Sequence, residues 1–86
     1  FYMWGHSYEF GDNDNWALLE KFCMKVGRQP DVWYATNGEI AHYIKAYKSL
    51  RKSCDGSLVY NPSGLRLFAS ANGKNIIFEP GAMTKL

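Results

Sequence analysis

Two short, uninterrupted apolar runs constrain this chain most: Phe1-Tyr2-Met3-Trp4-Gly5 and Val32-Trp33-Tyr34-Ala35, each followed by a turn-rich polar cluster and then a helical stripe. Aromatic and β-branched residues without polar alternation suit a short strand covered on both faces, because a half-exposed strand alternates with a period of two. After the first run, Ser7 to Asn15 is polar apart from Tyr8 and Phe10, and it closes on Gly11-Asp12-Asn13-Asp14-Asn15, a group rich in turn and N-cap residues. Trp16, Leu19, Phe22, Cys23 and Val26 then recur at spacings of three and four, with Glu20, Lys21 and Lys25 on the other side, which predicts an amphipathic helix. Gly27 supplies its stop, where a left-handed residue commonly ends a helix. After the second run, Thr36-Asn37-Gly38-Glu39 matches a capping box, in which the Thr hydroxyl accepts from the N3 amide and the Glu side chain reaches back to the N-cap amide. Ile40, Tyr43, Ile44 and Tyr47 follow at i, i+3, i+4 and i+7 and predict a second helix to about Leu50. Strand, helix, strand, helix is the order of parallel α/β units.

From Ser53 the pattern changes. Leu58-Val59-Tyr60 is bounded by Asp55-Gly56 and by Asn61-Pro62-Ser63-Gly64, and Asn72-Gly73 is the preferred central pair of a type I′ hairpin. Centring the turn there sets Ser70 opposite Asn75, Ala69 opposite Ile76, Phe68 opposite Ile77, Leu67 opposite Phe78 and Arg66 opposite Glu79. That register pairs apolar with apolar and cation with anion. Pro80-Gly81 ends the strand, and Met83 to Leu86 reads as a short last one. The expected fold is α/β: two strand-helix units over residues 1–52, then an antiparallel β extension over 53–86, together one structural unit. Two such units cannot close a parallel sheet, since strands covered on both faces need neighbours, so further strands are expected upstream. The exposed edge at Phe1–Gly5 leaves self-association open, and a start at Phe1 inside an apolar run reads as a segment cut or processed from something longer.

Composition narrows the function classes. Eighty-six residues make one small domain, with little room for an autonomous enzyme. A hydrophobic share of 47% with 21% charged residues favours a packed core over disorder. Aromatics reach 16%, and since each buried ring removes about 150–250 Å² from water, Trp16, Phe22, Trp33 and Tyr43 are expected in that core. The formal charge is +2, and the only basic cluster, Lys45 to Lys52, falls at the end of a predicted helix, where cations complement the macrodipole. No cationic stripe shares a face with aromatic platforms, which argues against nucleic acid as a partner. No apolar run reaches the roughly 18 residues of a membrane span, and no stretch reads as a signal peptide. Cys23 and Cys54 lack C-x-x-C spacing and only His6 and His42 could join them, which excludes a finger-type zinc site. Both cysteines are expected as free thiols, Cys23 as a small hydrophobe among Phe22, Met24 and Val26. The absence of any G-x-G-x-x-G or Walker-type loop argues against nucleotides.

In α/β architectures the reactive groups follow the carboxyl ends of strands. His6 stands at such a place, directly after an apolar run, with Gly5 allowing close backbone approach and Glu9 three positions on, able to orient the ring or to face solvent. His42 falls on the flank of a helical stripe and is expected at the surface. No Ser/Cys-His-acid spacing is present, so nucleophilic catalysis has no support.

The run Phe1-Tyr2-Met3-Trp4-Gly5-His6-Ser7-Tyr8-Glu9-Phe10, then Asp14-Asn15-Trp16, then Asp31-Val32-Trp33-Tyr34-Ala35-Thr36-Asn37-Gly38-Glu39-Ile40, resembles the C-terminal part of bacterial polysaccharide deacetylases of carbohydrate esterase family 4. The similarity covers roughly residues 1–50; the tail from Tyr60-Asn61-Pro62-Ser63 to Pro80-Gly81 is similar to an extension some members carry. The resemblance implies the last two strand-helix units of a distorted (β/α) barrel that removes N- or O-acetyl groups from a polysaccharide with a divalent metal, commonly zinc. It implies His6 as the late-strand histidine that protonates the leaving amine or alcohol, with Trp4, Tyr8 and Trp33 as substrate-facing walls. It also implies the upstream part of the same barrel as a partner, and a cell-envelope or extracellular setting. The chain departs from the family at Trp4-Gly5, where a Leu usually stands two residues before the histidine. The family's aspartate-rich first motif and its His-x-x-x-His metal pattern are absent, so these residues hold no metal ligands and the chain alone is expected to be inactive. The competing reading is a non-catalytic carbohydrate-binding or protein-interaction module built on exposed aromatics.

Overall fold

The computed structural model describes residues 1–86, mixing helices with small sheets in which every pairing is antiparallel. The chain divides into two compact units, Phe1–Trp33 and Tyr34–Leu86. No helix is long and apolar enough to cross a membrane.

The first unit holds α1 (Ser7–Asp12) and α2 (Trp16–Val26). The α2 boundaries follow the apolar periodicity, but the short α1 lies in the stretch expected to be irregular. Asn13 closes α1 by donating its side-chain amide to the Glu9 carbonyl at 2.6 Å, and Asp14 turns the chain at φ 48°. Asn15 precedes α2 without a side-chain cap bond; its backbone carbonyl accepts from the Leu18 amide at 3.0 Å instead. Gly27 ends α2 in an extended conformation, φ −74° and ψ 146°, not the left-handed one expected, and Arg28 takes the positive φ. The glycine is needed there for room, because a Cβ would stand 2.7 Å from the Cys23 carbonyl oxygen.

The expected parallel strands at Phe1–Gly5 and Val32–Ala35 are absent: neither run forms a strand, and all strands lie between Arg51 and Lys85. A run becomes a strand only through a ladder to a neighbour, and no parallel neighbour exists among these residues. No closed barrel forms. The packing expected of α2 is absent too, since none of its residues is buried; Trp16 is 49% and Trp33 61% exposed, Cys23 is exposed, and Phe22 is half-buried. Two short helices do not bury enough area to enclose such rings.

The second unit builds α3 (Asn37–Lys48), β1 (Arg51–Lys52), β2 (Leu58–Tyr60), β3 (Leu67–Ala71), β4 (Lys74–Phe78) and β5 (Met83–Lys85). The capping box forms as read: the Glu39 amide donates to Thr36 Oγ1 at 3.2 Å and the Thr36 amide donates to Glu39 Oε2 at 2.6 Å. Helix α3 thus belongs with the sheets that follow it. The strands form a three-stranded sheet in the order β1-β2-β5 and a hairpin β3-β4. The hairpin register is the one read from Asn72-Gly73, both at positive φ (52° and 74°), and it runs from Ala71 opposite Lys74 to Leu67 opposite Phe78. Arg66 and Glu79 extend it as an ion pair at 3.0 Å. Period-two alternation then turns Leu67, Phe78 and Ile76 inward and leaves Phe68 and Ile77 out.

The core is Ala46, Val59, Leu67 and Phe78, with Tyr43, Leu50, Leu65, Ala69 and Ile76 packed around it. Only part of the α3 stripe contributes, since Ile40, Ile44 and Tyr47 stay 39–46% exposed. Tyr43 also blunts the outer edge of β3, its hydroxyl accepting from the Phe68 amide at 2.9 Å.

The fully buried Asn61 joins the pieces. Its side-chain amide donates to the Leu65 carbonyl at 2.7 Å and the Phe78 carbonyl at 3.0 Å, while Oδ1 accepts from the amide and hydroxyl of Ser63. Its backbone donates to the Ala82 carbonyl and accepts from the Gly81 amide. Replacing Asn61 with Ala keeps the backbone bonds but removes the side-chain partner of the buried Phe78 carbonyl and of the partly buried Leu65 and Ser63 groups, at about 1–3 kcal/mol for a group left buried and unpaired. Asn61→Ala is therefore expected to destabilise the second unit by roughly 2–4 kcal/mol, read as a lowered denaturant midpoint with α2 helicity unchanged.

The β1–β2 turn carries a carboxylate of unusual acidity. The Ser53 hydroxyl donates to Asp55 at 2.6 Å, and the amide and hydroxyl of Ser57 donate to it at 3.0 and 2.9 Å, which together lower its pKa to about 2. Glu39 is lowered as well, by the Thr36 amide first and the Thr36 hydroxyl second. A depressed folded-state pKa gives stability that is complete above the unfolded value, near 4 for a carboxylate, and that is lost as pH falls through the folded value. Acid unfolding followed by circular dichroism should show stability declining from about pH 4 towards about pH 2, and Asp55→Asn should flatten part of that decline.

Candidate functional site

His6 sits at the junction between the extended first run and α1, with φ −103° and ψ 141°. In an extended segment residues two apart share a face, so Trp4 and His6 point the same way, and the turn into α1 brings Tyr8 beside them. The Tyr8 ring stacks on the imidazole at a centroid distance of 5.0 Å and an interplanar angle of 17°; the Trp4 ring meets it edge-on at 5.9 Å and 79°. Three of the residues singled out in the sequence therefore form one cluster. It is open to solvent, with Trp4 75% and Tyr8 60% exposed and the His6 side chain 55% exposed. Trp33 ends the first unit as another exposed ring.

Glu9 holds the cluster from behind. Its Oε2 accepts the His6 backbone N–H at 3.0 Å and its Oε1 lies 3.8 Å from His6 Nδ1. The Glu9 carboxylate thus lies beside the imidazole, with its one hydrogen bond made to the His6 backbone. Gly5 makes this possible in a direct way, because a Cβ there would stand 3.0 Å from Glu9 Oε2. The close approach read for Gly5 is thus an approach to its own helix. The signal was present as His6-x-x-Glu9, which has the spacing of a capping box with an imidazole in place of the hydroxyl.

A divalent metal does not fit these residues. No group of three His, Cys, Asp or Glu side chains converges anywhere in the chain. His6 has one carboxylate beside it, and the Asp55 carboxylate is occupied by serine donors. Cys23 and Cys54 are free thiols, as expected from their spacing, although Cys23 faces solvent instead of a core. The arrangement can position an imidazole for proton transfer between two aromatic walls, and it can present those walls to an apolar ligand face.

No family model, no curated protein and no solved structure matches this chain.

The Glu9 contact makes a local prediction. Glu9→Ala should remove the acceptor of the His6 amide, so that its hydrogen exchange rises several-fold while the amides of α3 keep their protection.

Proposed function

We propose that the chain supplies the late part of a distorted (β/α) barrel in a bacterial metal-dependent polysaccharide deacetylase of carbohydrate esterase family 4. His6 would donate a proton to the leaving amine or alcohol, with Trp4, Tyr8 and Trp33 against the sugar. The observation that carries this reading is the exposed imidazole after the first apolar run, with Nδ1 3.8 Å from a Glu9 carboxylate oxygen and the rings of Trp4 and Tyr8 beside it. Proton donation to a poor leaving group needs a positioned acid within hydrogen-bond reach, a role an exposed imidazole can fill. Apolar exposure also supports a larger barrel: Phe1 to Trp4 are 50–106% exposed, and α1 and α2 bury none of their residues. Elements with that much exposed apolar surface fit best as parts of a bigger core. The metal would be held by residues of the upstream part, and no step through it is assigned to this chain, which alone is expected to be inactive.

A second reading, a carbohydrate-binding or protein-interaction module without catalysis, is favoured by the exposure of Trp4, Tyr8 and Trp33, since aromatic faces stack on the apolar faces of sugars. Acetate release from acetylated chitooligosaccharide or xylan separates the two. A longer protein that includes upstream sequence, supplied with zinc, should release acetate while the 86-residue chain does not, and His6→Ala in the longer protein should lower kcat by about 10²–10⁴-fold. Equal activity of the His6→Ala variant would remove the proton-donor role. Oligosaccharide binding by the short chain that depends on Trp4 and Tyr8, with no acetate released by either length, would favour the module.

A further inference from the structure

The five-residue strand β4 has one edge that no other strand pairs. Antiparallel neighbours alternate between residue pairs that exchange hydrogen bonds and pairs whose backbone groups point away from each other. The Phe68 amide donates to the Tyr43 hydroxyl at 2.9 Å, so it points away from β4, and the Phe68–Ile77 pair is of the second kind. Ser70–Asn75, two positions on, is another. The N–H and C=O groups of Asn75 and Ile77 therefore face outward from the β4 side of the hairpin. They find no partner beyond it, because β5 pairs with β2 and not with β4. Both residues are exposed, whereas the opposite edge of the hairpin carries Tyr43.

An unpaired edge is a template for another strand, and the side chains decide which. β4 reads Lys74-Asn75-Ile76-Ile77-Phe78, with Lys74, its only charged residue, at the turn end. Set against a copy of itself about a two-fold axis at Ile76, Asn75 of each copy stands opposite Ile77 of the other, and these two pairs exchange four backbone hydrogen bonds. Ile76 then meets Ile76 on one face, and on the other Ile77 lies diagonal to Ile77 of the second copy, so apolar meets apolar on both. Charge selects the same direction. Lys74 falls opposite Phe78 of the second copy, next to the Arg66–Glu79 pair, in which cation and anion already balance, whereas parallel pairing in register would set Lys74 against Lys74. The assembly also closes: the other edge of each hairpin carries Tyr43, so pairing stops at two copies instead of running on as a fibre. We propose that β4 is a dimerisation edge, pairing antiparallel with β4 of a second copy of this chain into a four-stranded sheet. Strands of five residues bury less than the roughly 1,200 Å² of stable complexes, so the association is weak, with a dissociation constant of about 0.1–1 mM. The inference is independent of the His6 cluster and of the function proposed for it.

Sedimentation velocity and backbone NMR of the full chain, at concentrations on either side of that constant, test this; a reductant keeps the exposed Cys23 and Cys54 from forming disulfides. The protein should pass from monomer to dimer, with hydrogen exchange of the Asn75 and Ile77 amides slowed about tenfold at the high end. A mixture of labelled and unlabelled chains should show an intermolecular contact between the Ile76 side chains. Ile77→Pro removes an amide that takes no part in the hairpin ladder, so it should leave the monomer folded and weaken the dimer by about tenfold or more. Ile77→Lys keeps the amide, places a charge on the edge and should also weaken the dimer, which preserves the test if the proline variant fails to fold. Phe68→Ser alters the outer face of the hairpin without touching the β4 edge and should leave the dimer in place. A monomer at every concentration, a dimer whose shifts map to Phe1–Trp4 and spare β4, or a dimer lost in Phe68→Ser and kept in Ile77→Pro would overturn the proposal. So would protection of the Asn75 and Ile77 amides that is the same at all concentrations, because the edge would then be covered within one chain.

Discussion

The second unit depends on one buried amide. Asn61 has no exposure, yet every polar group it carries is used, by the Leu65 and Phe78 carbonyls, the Ser63 amide and hydroxyl, and the backbone of Gly81 and Ala82. A buried primary amide is tolerable only when fully satisfied, and a satisfied one fixes geometry more sharply than apolar contact does. Asn61 directly follows β2, Phe78 ends β4 and Ala82 precedes β5, so this single side chain and its backbone tie the three-stranded sheet to the hairpin. With only Ala46, Val59, Leu67 and Phe78 fully enclosed, apolar burial alone would set the relation of the two sheets loosely.

The first unit has no comparable anchor. Its ring contacts are Phe1 with Phe22 at 5.9 Å, Phe10 with Trp16 at 5.5 Å, and the Trp4-His6-Tyr8 cluster. Ring pairs of this kind order neighbouring side chains without enclosing them. The same openness gives the imidazole access to solvent and leaves a broad apolar surface, which is why the function proposed for His6 involves further barrel strands. The contrast extends to polar satisfaction, since the buried Oδ1 of Asn15 is left without a partner while Asn61 is fully bonded.

Most local signals are legible in the sequence, the conformation of Gly27 and the short α1 being the exceptions. The Thr36 to Glu39 box, the periodicity of α2 and α3, and the Asn72-Gly73 turn each involve groups within a few residues of one another, so sequence spacing is already geometry. The remaining differences fall where partners are distant. Phe1–Gly5 and Val32–Ala35 have strand composition but no ladder, and the α2 stripe has helical period but nothing to cover it. At the candidate site, His6, Trp4 and Tyr8 were legible as residue types near a chain junction. The stack itself was not, because α1 was not foreseen, and that helix is what swings Tyr8 and Glu9 onto the imidazole.

The sequence by itself therefore determined the bounds of α2, the capped start of α3, and the hairpin register with its Arg66–Glu79 pair. Tertiary structure alone decided that β5 pairs with β2, that α3 packs on β3, and that Asn61, read as a turn residue, is buried as the link between the sheets. The reason is the range of the forces involved. Capping, helical period and turn chirality act over three or four residues of chain, whereas strand partnership and burial of an amide are settled by which distant surfaces meet.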